Sequence, residues 1–432
     1  MLTDVERKIP NLRWIICGLL FFATTINYID RNVISFLKQD YILQWPGWSE
    51  LQYGHVVGYF QIAYALTMVF AGLWIDRVGI RRGLTIAVIW WSLAVMGHAI
   101  SGTVLAFGAS RILLGIGEAA NFPASIKAVA EWFPRRERAL ATGIFNCGTN
   151  VGSVLAQVIV AWVLETLGSW RWAFIVTGLM GFVWLIFWLI YYRRPQDHPR
   201  VSKAELDYIQ SEPEEKVPSP GFSAMMKSWS KLLRYKQTWA FAIGKLMTDP
   251  IWWVWLFWVP GFLDKRFDVK IQKMALPMFI IYLMAAFGSV LAGWLPAIFL
   301  KAGWSLNAAR KTAMLVCALC VTIVIEAALT TNLWVAVFCI GMACAAHQGW
   351  SANIFTLSSD MFPGKAVGSV VGIAGCAGGL GGYVMANFVG GILNKNADNY
   401  LPIFIIAGST YLLALLIIHI MVPRLEPVEL KD

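Results

Sequence analysis

WIICGLLFFATTINYIDRNVISFL, residues Trp14–Leu37, is an apolar stretch of 24 residues interrupted by the adjacent charges Asp30 and Arg31. Coiled as a helix it would reach about 36 Å, enough to cross a hydrocarbon core of about 30 Å. An ionisable side chain at the centre of such a helix costs about 2.5–3.5 kcal/mol on the insertion scale. Charges persist there only where they face protein or a watery cavity, and there they bind or relay something. A second run, Thr103–Ala130, carries Arg111 and Glu118 in the same unfavourable setting. Two carboxylates and two arginines inside a membrane point to a proton-coupled site for an anion.

The rest of the chain reads the same way. Its 432 residues are 58% hydrophobic and 14% charged, against about 25% charged for a soluble domain. Twelve apolar runs stand out, at 14–36, 52–75, 83–102, 103–130, 139–164, 171–193, 238–263, 274–299, 309–330, 333–358, 366–392 and 400–422. The expected class is therefore an all-α membrane protein of twelve transmembrane helices. An even number puts both termini on one side. With both termini cytoplasmic, the cytoplasmic segments hold 24 Lys and Arg and the outer ones 7, the asymmetry of the positive-inside rule. That accounts for the net charge of +10 without a nucleic-acid partner. The first run is too long for a signal-peptide core and lacks a small-residue cleavage site, so no cleavable leader is expected. All seven cysteines fall in apolar runs. Cys317 and Cys320 lack a second ligand pair, so neither a metal nor a cofactor is expected.

The longest polar stretch, Arg193–Gln237, divides the runs six and six. It includes an amphipathic helix at Lys203–Gln210 and a flexible Pro213–Pro220 segment. The expected domains are 1–193, a six-helix bundle; 194–237, a cytoplasmic linker; and 238–432, a second bundle. The halves repeat at an offset of 229 residues: Phe133-Pro134 pairs with Phe362-Pro363, Gly143 with Gly372, Gly152 with Gly381, and Glu131 with Asp360. Such duplication places a binding site at mid-membrane between the halves.

After the second run comes Gly72-Leu-Trp-Ile-Asp76-Arg77-Val-Gly79-Ile-Arg81-Arg82. It resembles the loop signature of the major facilitator superfamily, departing at Ile80, where the signature has a basic residue. Physically it reads as a latch: Asp76 pairs with an arginine or caps a neighbouring helix, Gly72 permits close helix approach, and Arg77 and Gly79 complete the turn. The corresponding stretch of the second half, Gly293–Pro296 through Arg310-Lys311, is a degenerate loop, so the latch is asymmetric. Asn27-Tyr-Ile-Asp30-Arg31, Arg111-x6-Glu118, Glu131-Trp-Phe-Pro134 and Phe145-Asn146 resemble the anion:cation symporter branch over essentially the whole chain. His347-Gln348, Thr356-Leu-Ser-Ser-Asp360 and Lys245-x3-Asp249-Pro250 look most like its hexuronate transporters.

Arg111 and Glu118 are two helical turns apart, on one face and separated by about 10 Å, so they bracket a site without pairing directly. Asp30 and Arg31 diverge by about 100° around their helix. Arg31 has the planar fork that grips a carboxylate through two hydrogen bonds. The resemblance implies that Arg31 binds substrate, that Glu118 couples protons with Asp30 sharing that role, and that Tyr64 offers a hydroxyl. Arg111 would tune the carboxylates. Lys245 either binds an anion or snorkels to the surface. His347 occupies the repeat position of Glu118, and Gln348, Ser351, Asn353 and Thr356 extend a polar stripe from it. With Asn146 and Thr149 these groups suit sugar hydroxyls. Of the 22 tryptophans, Trp252, Trp253, Trp255 and Trp258 crowd one helix, so not all of them face a cavity.

The expectation is a monomeric proton symporter of a small organic anion, most simply a hexuronate, in a bacterial inner membrane, with the lipid bilayer as its other partner. An aldonate, an aldarate or an aromatic acid is the alternative substrate. A sugar phosphate is disfavoured, because only Lys245 adds a cation from the second half. A transporter-like sensor would need an output domain, which tails of about ten residues do not hold. An enzyme is disfavoured because the ionisable residues form no nucleophile–base set.

Overall fold

Helix runs through nearly all of the computed structural model, which describes residues 11–211 and 222–428. The Pro213–Pro220 segment and the extreme N-terminal tail lie outside the described residues. The helices are α1 (Leu12–Leu37), α2 (Glu50–Val78), α3 (Ile80–Ile100), α4 (Val104–Glu118), α5 (Asn121–Trp132), α6 (Arg135–Leu167), α7 (Arg171–Tyr191), α8 (Lys203–Ile209), α9 (Phe222–Leu232) and α10 (Lys236–Phe267). They continue with α11 (Ala275–Lys301), α12 (Leu306–Thr322), α13 (Val324–Leu329), α14 (Leu333–Met361), α15 (Gly364–Lys395) and α16 (Leu401–Met421). No strand occurs among the described residues. The twelve apolar runs each correspond to one helix or a broken pair, and α8 falls within a residue of the expected amphipathic helix.

Two expectations are corrected. The run 103–130 is two helices, with a turn at Ala119-Ala120 immediately after Glu118. Pro123 is the cause: it has no N–H to donate to the carbonyl four residues earlier, so the ladder opens there. Also, Gly293–Pro296 is not a loop but lies inside α11, which runs on to Lys301.

The two halves pack alike. In the first, α1 lies on α6, α2 on α4 and α3 on α7; in the second, α10 lies on α15, α11 on α14 and α12 on α16. Across the seam, α2 meets α15 and α11 meets α6, the arrangement that a repeat axis along the membrane normal produces. Glycine makes the approach possible. A Cβ on Gly152 would press into the Thr25 carbonyl of α1, and one on its repeat partner Gly381 into the Leu246 carbonyl of α10. At the seam, Gly379 sits against Ala65 and Gly382 against Gln61, both on α2. With lipid as solvent, such small-residue contacts stand in for hydrophobic burial between helices.

Gly152→Leu and Gly381→Leu should therefore each lower the thermal midpoint in detergent, by the equivalent of about 1–3 kcal/mol for overpacking. Gly143→Leu, whose Cβ meets nothing within 4 Å, should leave it near wild type. Equal midpoints for all three would remove the packing role.

Candidate functional site

Arg31 projects from α1 toward the break between α4 and α5. Its Nη2 and Nε stand 2.8 and 2.9 Å from Glu118 Oε2, and Nη2 donates to Asn27 Oδ1 at 3.1 Å. Both partners are excluded from solvent, at 1% and 0% exposure. Four rings surround the guanidinium: Tyr28 at 4.5 Å, Tyr64 at 4.8 Å, Phe60 at 5.0 Å and Trp253 at 5.2 Å. The first three belong to α1 and α2, whereas Trp253 reaches in from α10 in the second half. Such a face favours a desolvated cation by about 2 kcal/mol or more. The pair thus lies on the seam between the halves.

Several polar atoms around it have no hydrogen-bond partner among the described residues: Glu118 Oε1, Asn27 Nδ2 and both ends of the Gln61 amide. Gln61 is one turn before Tyr64 on α2, hence on the same face. Buried polar groups in folded proteins are nearly always bonded, so a cluster of exceptions marks a place built for ligand, water or proton.

Asp30 turns away from Arg31, as the helical geometry required. It is fully buried, with neither oxygen in a strict hydrogen bond, and Thr177 of α7 is the hydroxyl that approaches it. Arg111 is equally buried and forms no ion pair with Glu118; its Nη1 donates to the Arg31 carbonyl at 3.2 Å.

The second half contributes differently. Lys245 neither snorkels nor stands free: it pairs with Asp249 at 2.7 Å and lies over the Phe355 ring at 4.3 Å. His347 Nδ1 meets the Tyr411 hydroxyl at 2.5 Å, and its ring stacks on Trp252 at 5.2 Å. Gln348 and Ser351 are half-buried on α14, and Asn353 is buried there. On α6, Asn146, Thr149, Asn150, Ser153 and Gln157 form one polar stripe at three- and four-residue spacing. Asn146 is exposed, Asn150 half-buried, and Thr149, Ser153 and Gln157 buried, so the stripe descends from an open end to a closed one.

The closed end holds residues that the sequence did not single out. Tyr53 of α2 donates to the Phe257 carbonyl of α10 at 3.0 Å, and Gln157 of α6 to the Ile271 carbonyl at 2.8 Å. Glu50 of α2 is held by Lys38 at 2.7 Å and by Lys265 of α10 at 3.2 Å. Lys38 is fully buried, over the Tyr53 ring. These charges sit at run edges, where a loop position explains them equally well, so sequence alone offered no signal.

At the opposite end, Asp76 pairs with Lys127 of α5 rather than with an arginine, and Lys127 also donates to the Gly72 carbonyl at 2.6 Å. The expected helix approach at Gly72 is corrected: a Cβ there meets nothing within 4 Å. Gly79 does need to be glycine, because it turns the chain between α2 and α3 at φ +85°. Arg77 is exposed.

The family model of the Major Facilitator Superfamily matches residues 20–382. Similar relatives include the hexuronate transporter of Escherichia coli (strain K12), 29% identical over 427 residues that cover 99% of this chain and 98% of that one. The galacturonate transporter of Dickeya chrysanthemi is 32% identical over 294 residues, 68% of this chain and 84% of that one. The D-galactonate transporter of Escherichia coli O6:H1 is 30% identical over 88% of each chain. Among solved structures, a D-xylose-proton symporter superposes with a TM-score of 0.72 at 18% identity, covering 96% of this chain and 99% of that one. An inward-facing bacterial homologue of the lysosomal transporter Spinster gives 0.69 at 20% identity, covering 96% of each.

Glu50→Gln removes both ion pairs at the closed end. A cysteine at Ser35, which is buried beside that end, should then react several-fold faster with a thiol reagent, measured with the exposed Cys147 replaced by Ser. An unchanged rate would show that the triad does not hold that end shut.

Proposed function

The chain belongs to the Major Facilitator Superfamily, a family of membrane transporters, and from that premise we propose that it imports a small sugar-acid anion, most simply a hexuronate, together with protons. The observation that carries this reading is the Arg31–Glu118 pair, a buried cation whose carboxylate partner is also the natural seat of a proton. Relatives that transport hexuronate, galacturonate and galactonate support the substrate class.

Arg31 is the cation that all four rings enclose, and two carboxylates compete for it. When Glu118 is ionised it occupies the guanidinium. When Glu118 takes a proton it loses most of its hold, and Arg31 is released to bind the substrate carboxylate through two parallel hydrogen bonds. Gln61, Asn27 and Tyr64 then order the hydroxyls, and the Trp253 face closes over the sugar from the second half. Loss of the proton returns Arg31 to Glu118 and expels the anion. Asp30, unpaired and buried, holds the second proton position, and the Arg111 charge lowers the cost of ionising either carboxylate. Asn146, Thr149, Lys245, His347, Gln348 and Ser351 shape the far wall. Halves spanning 1–193 and 238–432, joined by the 194–237 linker, rock about this site. With both termini in the cytoplasm of a bacterium, as the distribution of Lys and Arg supports, the closed end faces outward, and Asp76 with Lys127 latches the inner end. The protein acts as a monomer.

Glu118→Gln should abolish accumulation of glucuronate or galacturonate against a gradient in proteoliposomes while leaving counterflow exchange measurable. Accumulation equal to wild type would refute the coupling role. Arg31→Lys keeps the charge but loses the fork, and should weaken apparent affinity at least tenfold, about 1.4 kcal/mol. Transport of an aldonate with no transport of either hexuronate would reassign the substrate.

A further inference from the structure

A sizeable cavity lies away from the seam. It occupies about 800 Å³ where the α2–α3 turn meets the end of α7, and Arg81, Arg82, Arg193 and Arg194 line it together with Glu131 and Asp197. Among the described residues none of the four arginines has an ion-pair partner. Arg82, Arg193 and Arg194 are exposed. Arg81 donates to the Leu189 carbonyl at 2.6 Å, while its buried Nε has no partner.

The internal repeat shows that the two halves of the chain differ at this place. The 229-residue offset maps Arg310 onto Arg81 and Asp360 onto Glu131. In the second half Arg310 and Asp360 close on each other at 2.9 Å. In the first half the equivalent arginine is turned to the end of α7, and Glu131 accepts instead from the Tyr192 hydroxyl at 3.1 Å. Where one half closes with an ion pair, the other leaves a room walled by guanidinium groups. Ile80, the residue at which the loop signature is broken, is buried, which passes the arginine pair one position along and toward α7.

The cavity also opens onto the lipid-facing surface. Ile86, Trp90 and Leu93 on α3, and Val183, Ile186 and Ile190 on α7, are exposed apolar side chains at helical spacing. The two helices pack together, and Ile86 and Leu189 line the cavity itself. A charged room at the end of an apolar, membrane-embedded groove matches one kind of molecule in both its parts. We propose that this cavity binds the headgroup phosphate of an anionic phospholipid, whose acyl chains lie along the outer face of α3 and α7. Guanidinium forks match phosphate oxygens bidentately, and basic pockets between membrane helices suit such headgroups. Four guanidiniums against two carboxylates, one already holding a tyrosine hydroxyl, favour an anionic headgroup over a zwitterionic one.

Native mass spectrometry of the full chain in detergent tests this with phosphatidylglycerol, phosphatidylethanolamine and phosphatidylcholine added at equal concentration. Phosphatidylglycerol should bind in preference to the other two. The double variant R193Q/R194Q, which alters two exposed side chains, should weaken that binding at least tenfold and leave phosphatidylcholine adducts unchanged. Arg81→Gln, checked for an unaltered thermal midpoint, should weaken it as well. Equal binding of all three lipids, or undiminished phosphatidylglycerol binding by the double variant, would overturn the proposal. Displacement of the lipid by an equal concentration of inorganic phosphate or glycerol phosphate would show a soluble phosphate site instead and overturn the lipid assignment.

Discussion

One buried ion pair organises the centre of this protein. In a medium where a lone charge costs several kcal/mol, Arg31 and Glu118 are tolerable only together, and removing either strands the other at about 3–5 kcal/mol. Bringing them together dictates local architecture. Glu118 must stand close to α1, so α4 is pressed against its neighbours through glycines: Gly115 against the Phe60 carbonyl of α2, and Gly117 against Trp90 and Trp91 of α3. The helix then breaks directly after Glu118, at the place Pro123 prescribes. The aromatic residues that enclose Arg31 come from both halves. Any movement that separates the halves therefore withdraws Trp253 and changes the surroundings of the pair. On the proposed reading, that contact links the charge state of the site to the position of the bundles.

The two halves share a helix-packing plan but not a chemistry. At the place that Glu118 holds in the first repeat, the second has His347, bonded to Tyr411 and stacked on Trp252. On α10, Lys245 is neutralised by Asp249 one turn away. Among the described residues, Asp30 and Arg111 are fully buried without an ion pair, and both lie in the first half. On the proposed reading, proton handling belongs to the first half, and the second supplies shape, rings and hydroxyls.

Much of this was legible in the sequence because membranes make charges expensive. Asp30, Arg31, Arg111 and Glu118 stood out against apolar runs for that reason, and the run count and the 229-residue offset described the halves. Gly152 and Gly381 were visible as a repeat pair, though not which helix each would press. Contacts that depend on run edges were illegible: Lys38, Glu50 and Lys265 lie where a charge is cheap, and only folding shows Lys38 buried. Gly72 misled because a glycine in a helix signals close approach only when a neighbour is there. Trp253 was one of four crowded tryptophans, and nothing in spacing separates a ring over Arg31 from one packed against Phe404, as Trp255 is. Lys127 is one basic residue inside an apolar run, and only folding places it between Gly72 and Asp76.

The arrangement of cations also bears on which anions fit the proposed site. Arg31 offers one guanidinium to the seam. Arg111 is committed from behind, donating to the backbone of Arg31 itself, and Lys245 answers first to Asp249. A monocarboxylate needs only the exchange at Arg31, one acid replacing another at the same fork. A dicarboxylate such as an aldarate needs a second cation, which means parting Lys245 from Asp249 and leaving a carboxylate unpaired in a desolvated place, a cost of several kcal/mol. A phosphate dianion meets the same obstacle with a larger charge. On the proposed reading, the site is balanced for one negative charge and several hydroxyls, which favours a uronate or an aldonate over diacids by electrostatics rather than by size.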